Sequence, residues 1–151
     1  MYMRSNDAYL GLPHDLFAFT MIQELIARVV GAELGTYIHM VGSMHLYKKD
    51  EGRALEFVKE GWQSNVSMPA MPSTNPMDGL DWLLMAERQL READDPLKID
   101  LRGPDFYWSD LASLLAIYRL IKDKRIDDIP RLRNALHAKE YDLYVEERLN
   151  R

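Results

Sequence analysis

The sequence contains no cysteine. That excludes disulfides, a thiolate zinc site and any cysteine nucleophile contributed by this chain. Positive charge is also in deficit, with 19 Lys and Arg against 24 Asp and Glu, a formal net charge of −5. The broad positive field that nucleic-acid or acidic-membrane binding needs is absent, so neither partner is expected. Glycine and proline are sparse, at 8 and 7, beside 47% hydrophobic residues. Such a composition belongs to a folded globular chain, and 151 residues make one ordinary domain. The opening MYMRSNDAYLGLP has no long apolar run and does not resemble a signal peptide, which makes the cytoplasm the expected compartment. No metal site is expected, because His14, His39 and His45 are not joined by HExxH or any comparable pattern.

What charge there is falls unevenly. Residues 1–47 carry only Arg4, Asp7, Asp15, Glu24, Arg28 and Glu33 as full charges, and this first third reads as interior. From Asp15 to Val30 the apolar residues, among them Leu16, Phe17, Ile22, Leu25, Ile26 and Val29, cover most of a helix circumference. The pattern predicts a helix buried on several sides, with Pro13 just before it, Asp15 at or near its N-terminus and Gly31 stopping it. Thr36 to Tyr47, TYIHMVGSMHLY, is rich in β-branched and aromatic residues and predicts a strand. Gly42 within it marks a bulge or a close approach. Met1 to Ser5 reads as the tail of a further strand.

From Lys48 onward the pattern becomes amphipathic and helical. Helices are expected at Asp50–Trp62, Leu80–Glu92, Ser109–Lys122 with Ser109 as a possible N-cap, Asp127–Leu136 and Tyr141–Leu149. Leu111, Leu114, Leu115, Tyr118 and Ile121 form a one-sided stripe, and NVSMPAMPSTNPMDG reads as a long loop. The expected class is α+β. Residues 1–47 form one segment and 48–151 a mainly helical region packed on it as a single domain.

Polar residues stranded in the apolar first third are the candidates for chemistry: Arg4, Ser5, Asn6, Asp7, His14, Asp15, His39, Ser43, His45 and Tyr47. Arg4 with Ser5 offers a guanidinium fork and a hydroxyl to a phosphate, against the plainer reading of Arg4 paired with Asp7. His45 and Tyr47, two apart, share one face of an extended chain and suit a sugar hydroxyl. They also read as satisfied core polars.

RSNDAYLGLPHD, the apolar helix, and ELGTYIHMVGSMHLY, taken in that order, resemble the C-terminal half of the thymidylate synthase family, which includes the pyrimidine nucleotide hydroxymethylases. The RS, D, LGLP and HLY elements carry the resemblance, from about Arg4 to Tyr47. It implies part of that family's mixed sheet packed on a buried helix. It also implies that Arg4 and Ser5 bind the nucleotide phosphate, that Asp7 and Gly11 lie on the folate side, and that His45 and Tyr47 hold the sugar 3′-hydroxyl. The family reaction adds a cysteine to the pyrimidine ring, which then takes a one-carbon unit from 5,10-methylenetetrahydrofolate. The implied partners are a pyrimidine nucleoside monophosphate, folate, and either a second copy in a homodimer or a chain supplying the missing N-terminal half.

The departures carry information too. The family's cysteine and its further phosphate arginines lie upstream of the RS motif, so no catalytic residue is assigned in this chain. Ser43 stands where the family usually has aspartate, and the helical residues after Tyr47 look unlike the synthases' short ending. Asp15 replaces the asparagine that closes LGLPxN in enzymes acting on uracil. A carboxylate only accepts, which suits the exocyclic amine of cytosine and resembles the cytidylate hydroxymethylases. The plainer reading makes Asp15 an N-cap. Two readings compete with an enzyme fragment: a non-catalytic nucleotide-binding or regulatory protein, and a helical interaction module.

Overall fold

A computed structural model describes residues 1–61 and 66–149. The described chain divides into two compact units, Met1–Asn65 and Val66–Arg151. The class is α+β: among the described residues every strand lies in the first unit, and the second is helical.

In the first unit, β1 (Tyr2–Met3) and β2 (Asn6–Asp7) precede α1 (Gly11–Val30). After it come β3 (Met40–Val41), β4 (Met44–His45), a 3-10 turn at Lys48–Asp50 and α2 (Glu51–Lys59). β1 pairs with β3 and β2 with β4, both in parallel, with Tyr2 opposite Met40, Met3 opposite Val41, Asn6 opposite Met44 and Asp7 opposite His45. The register is the same in both pairs, so no residue is inserted between them. The bonding phase does change: Gly42 N–H donates to Met3 O at 2.9 Å, and the next bond runs from Asn6 N–H to Ser43 O at 3.0 Å. Both chains reset together across Arg4–Ser5 and Gly42–Ser43. Gly42 is therefore a close approach rather than a one-sided bulge, and a Cβ there would stand 3.1 Å from Arg4 O.

Three expectations are corrected here. The Thr36–Tyr47 strand is confined to two dipeptides, and Thr36 to His39 make no ladder. The helix begins at Gly11, which puts Pro13 inside its first turn, where a missing N–H costs nothing. Its end is as read, with Gly31 in the left-handed conformation at φ 67°. Most consequentially, α1 is not buried: Ala27 is its one buried residue, while Phe17 is 56% and Val30 67% exposed. Among the described residues of this unit the sheets are two dipeptide ladders, too small to cover a 20-residue apolar helix.

The second unit is built on α3 (Pro76–Glu92), α4 (Phe106–Lys122), α5 (Ile129–Ala135) and α6 (Asp142–Leu149). Pro76 occupies the first turn of α3, and the Asn75 side chain accepts from Met77 N–H at 3.2 Å. The N-cap of α4 is Asp105, not Ser109: Asp105 Oδ1 accepts from Trp108 N–H at 3.2 Å, and the Ser109 hydroxyl instead bonds back to Asp105 O. The stripe read from sequence is also displaced. Trp108, Ala112, Ala116, Ile117 and Leu120 are the buried face of α4, whereas Tyr118 is exposed. Small Ala112 and Ala116 are fully buried in that face, which a search for large apolar residues misses. Ile117, Leu120, Ile129, Leu136, Tyr141 and Val145 form the core cluster. Trp62, expected in the helix after Asp50, lies outside the described residues. No helix among the described residues is long and apolar enough to cross a membrane.

Candidate functional site

The parallel pairing of β2 with β4 brings the two halves of the predicted site together. Ser5 Oγ lies 3.2 Å from His45 Nδ1, although 40 positions separate them in sequence. Tyr47 meets the His45 ring edge-on, with centroids 4.8 Å apart, and Lys49 Nζ stands 5.6 Å from the Tyr47 ring centroid. Ser5, His45 and Tyr47 are thus one cluster, with its hydroxyls and imidazole at the surface of the unit. Arg4 adjoins it, exposed, and forms no ion pair among the described residues. The Arg4–Asp7 pairing is not made, because Asp7 is engaged elsewhere.

Asp7 closes the turn into α1. Its Oδ2 accepts from Leu10 N–H at 2.9 Å and from Gly11 N–H at 3.2 Å, while Oδ1 accepts from Tyr9 N–H at 3.3 Å. These donors, Leu10 foremost, hold the carboxyl below its ordinary value against the opposing effect of desolvation. Asp7 therefore does the work that the sequence suggested for Asp15 as an N-cap. Asp15 sits one turn further in, partly exposed, and forms no hydrogen bond among the described residues. Its charge, after burial, contributes to raising the Tyr37 hydroxyl. His14 turns back, its Nδ1–H donating to Leu10 O at 2.6 Å.

A second chain of contacts lies beside this turn. Asn6, 5% exposed, donates from Nδ2 to His39 Nε2 at 3.3 Å. With Nε2 accepting, the His39 proton sits on Nδ1, which bonds Tyr37 Oη at 2.7 Å. Gly11 is fixed by the same group, since a Cβ there would come within 2.5 Å of Asn6 Oδ1. Sequence reasoning flagged Asn6 and His39 without a role and missed Tyr37. The i, i+2 spacing of Tyr37 and His39 repeats that of His45 and Tyr47 and was the available signal.

The thymidylate synthase family model matches residues 1–85, more than half of the chain and all of the elements that build this site. The chain belongs to the thymidylate synthase family. The match runs well past Tyr47, through α2 and into α3. Thymidylate synthase from Listeria monocytogenes serotype 4a (strain HCC23) is 42% identical over 60 residues, 40% of this chain and 18% of that protein. Thymidylate synthase from Listeria innocua serovar 6a (strain ATCC BAA-680 / CLIP 11262) is 40% identical over the same length. The chain thus spans 18% of the length of the curated relatives it matches. α4, α5 and α6 lie beyond the family match.

Proposed function

We propose that this chain is the C-terminal, nucleotide-holding part of a thymidylate-synthase-type enzyme that moves a one-carbon unit from 5,10-methylenetetrahydrofolate to the ring of a pyrimidine nucleotide. The observation that carries the reading is the Ser5–His45–Tyr47 cluster beside Arg4, which forms no ion pair among the described residues. Arg4 and Ser5 present a guanidinium fork and a hydroxyl to the phosphate, and His45 and Tyr47 present a donor–acceptor pair to the sugar hydroxyl. Asp7 and Gly11 form the folate-side turn. Without cysteine in these 151 residues, the thiol that attacks the ring comes from polypeptide outside them, as do further phosphate contacts. The exposed face of α1 fits an assembly in which a second copy or the cysteine-bearing part covers it. A cytoplasmic enzyme fits this chemistry.

Asp15 sets the base preference. Its carboxylate is not spent on capping α1 and is available to accept from an exocyclic amine. Against uracil it would face an oxygen, acceptor against acceptor. A cytosine nucleotide, CMP or dCMP, is therefore the favoured substrate, with a proton shared at the neighbouring ring nitrogen, and hydroxymethylation is the favoured outcome. The test is competitive binding of dCMP and dUMP to the enzyme assembled with its cysteine-bearing part. The unaltered enzyme binds dCMP more tightly and Asp15→Asn reverses the order. An unchanged preference in the variant contradicts the assignment.

The missing cysteine favours a second reading, a regulatory protein that keeps the nucleotide pocket without catalysis. Nucleotide binding with no product after the cysteine-bearing part is supplied would establish it.

A further inference from the structure

The second unit contains a cavity that owes nothing to the family match. It is about 750 Å³ and lies where the Leu101–Asp105 segment enters α4 and the end of α5 turns toward α6. That volume is within the range of small-molecule sites. Leu101, Pro104, Leu132 and the exposed ring of Phe106 supply apolar walls. One wall is polar and fixed. Asp110, only 3% exposed, accepts from His137 N–H, from Ala138 N–H at 2.8 Å and from His137 Nδ1–H at 3.1 Å. A carboxylate only accepts, so it holds a proton on Nδ1, and in the neutral imidazole that leaves Nε2 as an acceptor. Phe106 stacks on the imidazole at 4.0 Å between centroids, which fixes the ring from a second direction. The Nε2 edge has no partner among the described residues, although the ring is half exposed and lines the cavity.

From this arrangement we infer that the helical unit binds a small, uncharged, mainly apolar molecule with one N–H or O–H group, which donates to His137 Nε2. Charge selects against anions. Asp105 and Asp110 both line the cavity, and its one guanidinium, on Arg102, is already held by Asp100 through two hydrogen bonds, the shorter 2.8 Å. The site is therefore separate in chemistry from a phosphate-binding pocket. Asp110 positions His137 and does not reach the ligand, both its oxygens being occupied by N–H groups.

Indole is a suitable probe, because it is apolar, fits the volume and carries a single N–H; benzothiophene has the same shape without the donor. Titrated into the isotope-labelled full chain, indole is expected to shift the His137 and Phe106 ring resonances saturably. Benzothiophene is expected to bind about fivefold to tenfold more weakly, the worth of one neutral hydrogen bond. In His137→Phe, which keeps the stack and loses the acceptor, the two probes should bind alike. Inorganic phosphate should shift neither ring. Equal affinity of the two probes for the unaltered chain, no saturable shift with indole, or a saturable shift with phosphate would each overturn the inference. These comparisons on the unaltered chain stand even if the variant fails to fold.

Discussion

Gly11 has no side chain because Asn6 needs its space. A methyl group there would press to within 2.5 Å of Asn6 Oδ1. Gly11→Ala is therefore expected to displace the Asn6 amide, break its bond to His39 and destabilise the first unit by about 1–3 kcal/mol, measured by urea unfolding. An unchanged midpoint would show that the Asn6 side chain moves aside freely. Asp7 gives the second residue-scale expectation. Its carboxyl is held below 3.8 by the Leu10, Tyr9 and Gly11 amides, so its contribution is complete above that pH and is lost as pH falls through the lowered value. The Leu10 and Gly11 amide resonances should titrate together below pH 3.8, and Asp7→Asn should abolish that step. These roles were partly legible in the sequence. The His45–Tyr47 face follows from alternation alone, whereas Ser5 against His45 depends on a parallel register between distant segments that no local pattern encodes.

Helices were the most legible elements, and their N-caps were less so. The periodicity after Lys48 placed α3, α4, α5 and α6 closely, because an amphipathic repeat is imposed by burial on one side. At the start of α4 both Asp105 and Ser109 are good capping types. Backbone decides between them: Asp105 is extended, at φ −154° and ψ −178°, whereas Ser109 is already helical. Asp105→Ala should lower the stability of the second unit by about 1 kcal/mol, read as a shift in its thermal midpoint, and Ser109→Ala by less. The reverse order would place the cap at Ser109. The strand was over-read for a comparable reason. TYIHMVGSMHLY has strand composition throughout, but only the dipeptides facing β1 and β2 find a partner, and ladder bonds require one.

At the scale of the molecule, the exposed face of α1 is the feature that the sequence could not settle. Apolar residues around a helix specify that it should be covered, without saying by what. In this chain Phe17, Ile22, Ile26, Val29 and Val30 remain exposed. Ile22, Ile26, Val29 and Val30 share one side of α1 by helical spacing, and exposed apolar area of that kind marks an interaction site. The proposed function gives it an occupant and gives the Ser5–His45–Tyr47 cluster a purpose, so the two stand or fall together. The most direct measurement is one-carbon transfer by the protein isolated from its natural locus with whatever copurifies. It would be incubated with methylenetetrahydrofolate and CMP, dCMP or dUMP, and the product nucleotide weighed by mass spectrometry. The account predicts a product heavier by one carbon unit, formed fastest from a cytosine nucleotide and lost in Arg4→Ala. Nucleotide that binds yet returns unaltered, even with the cysteine-bearing part supplied, would contradict it.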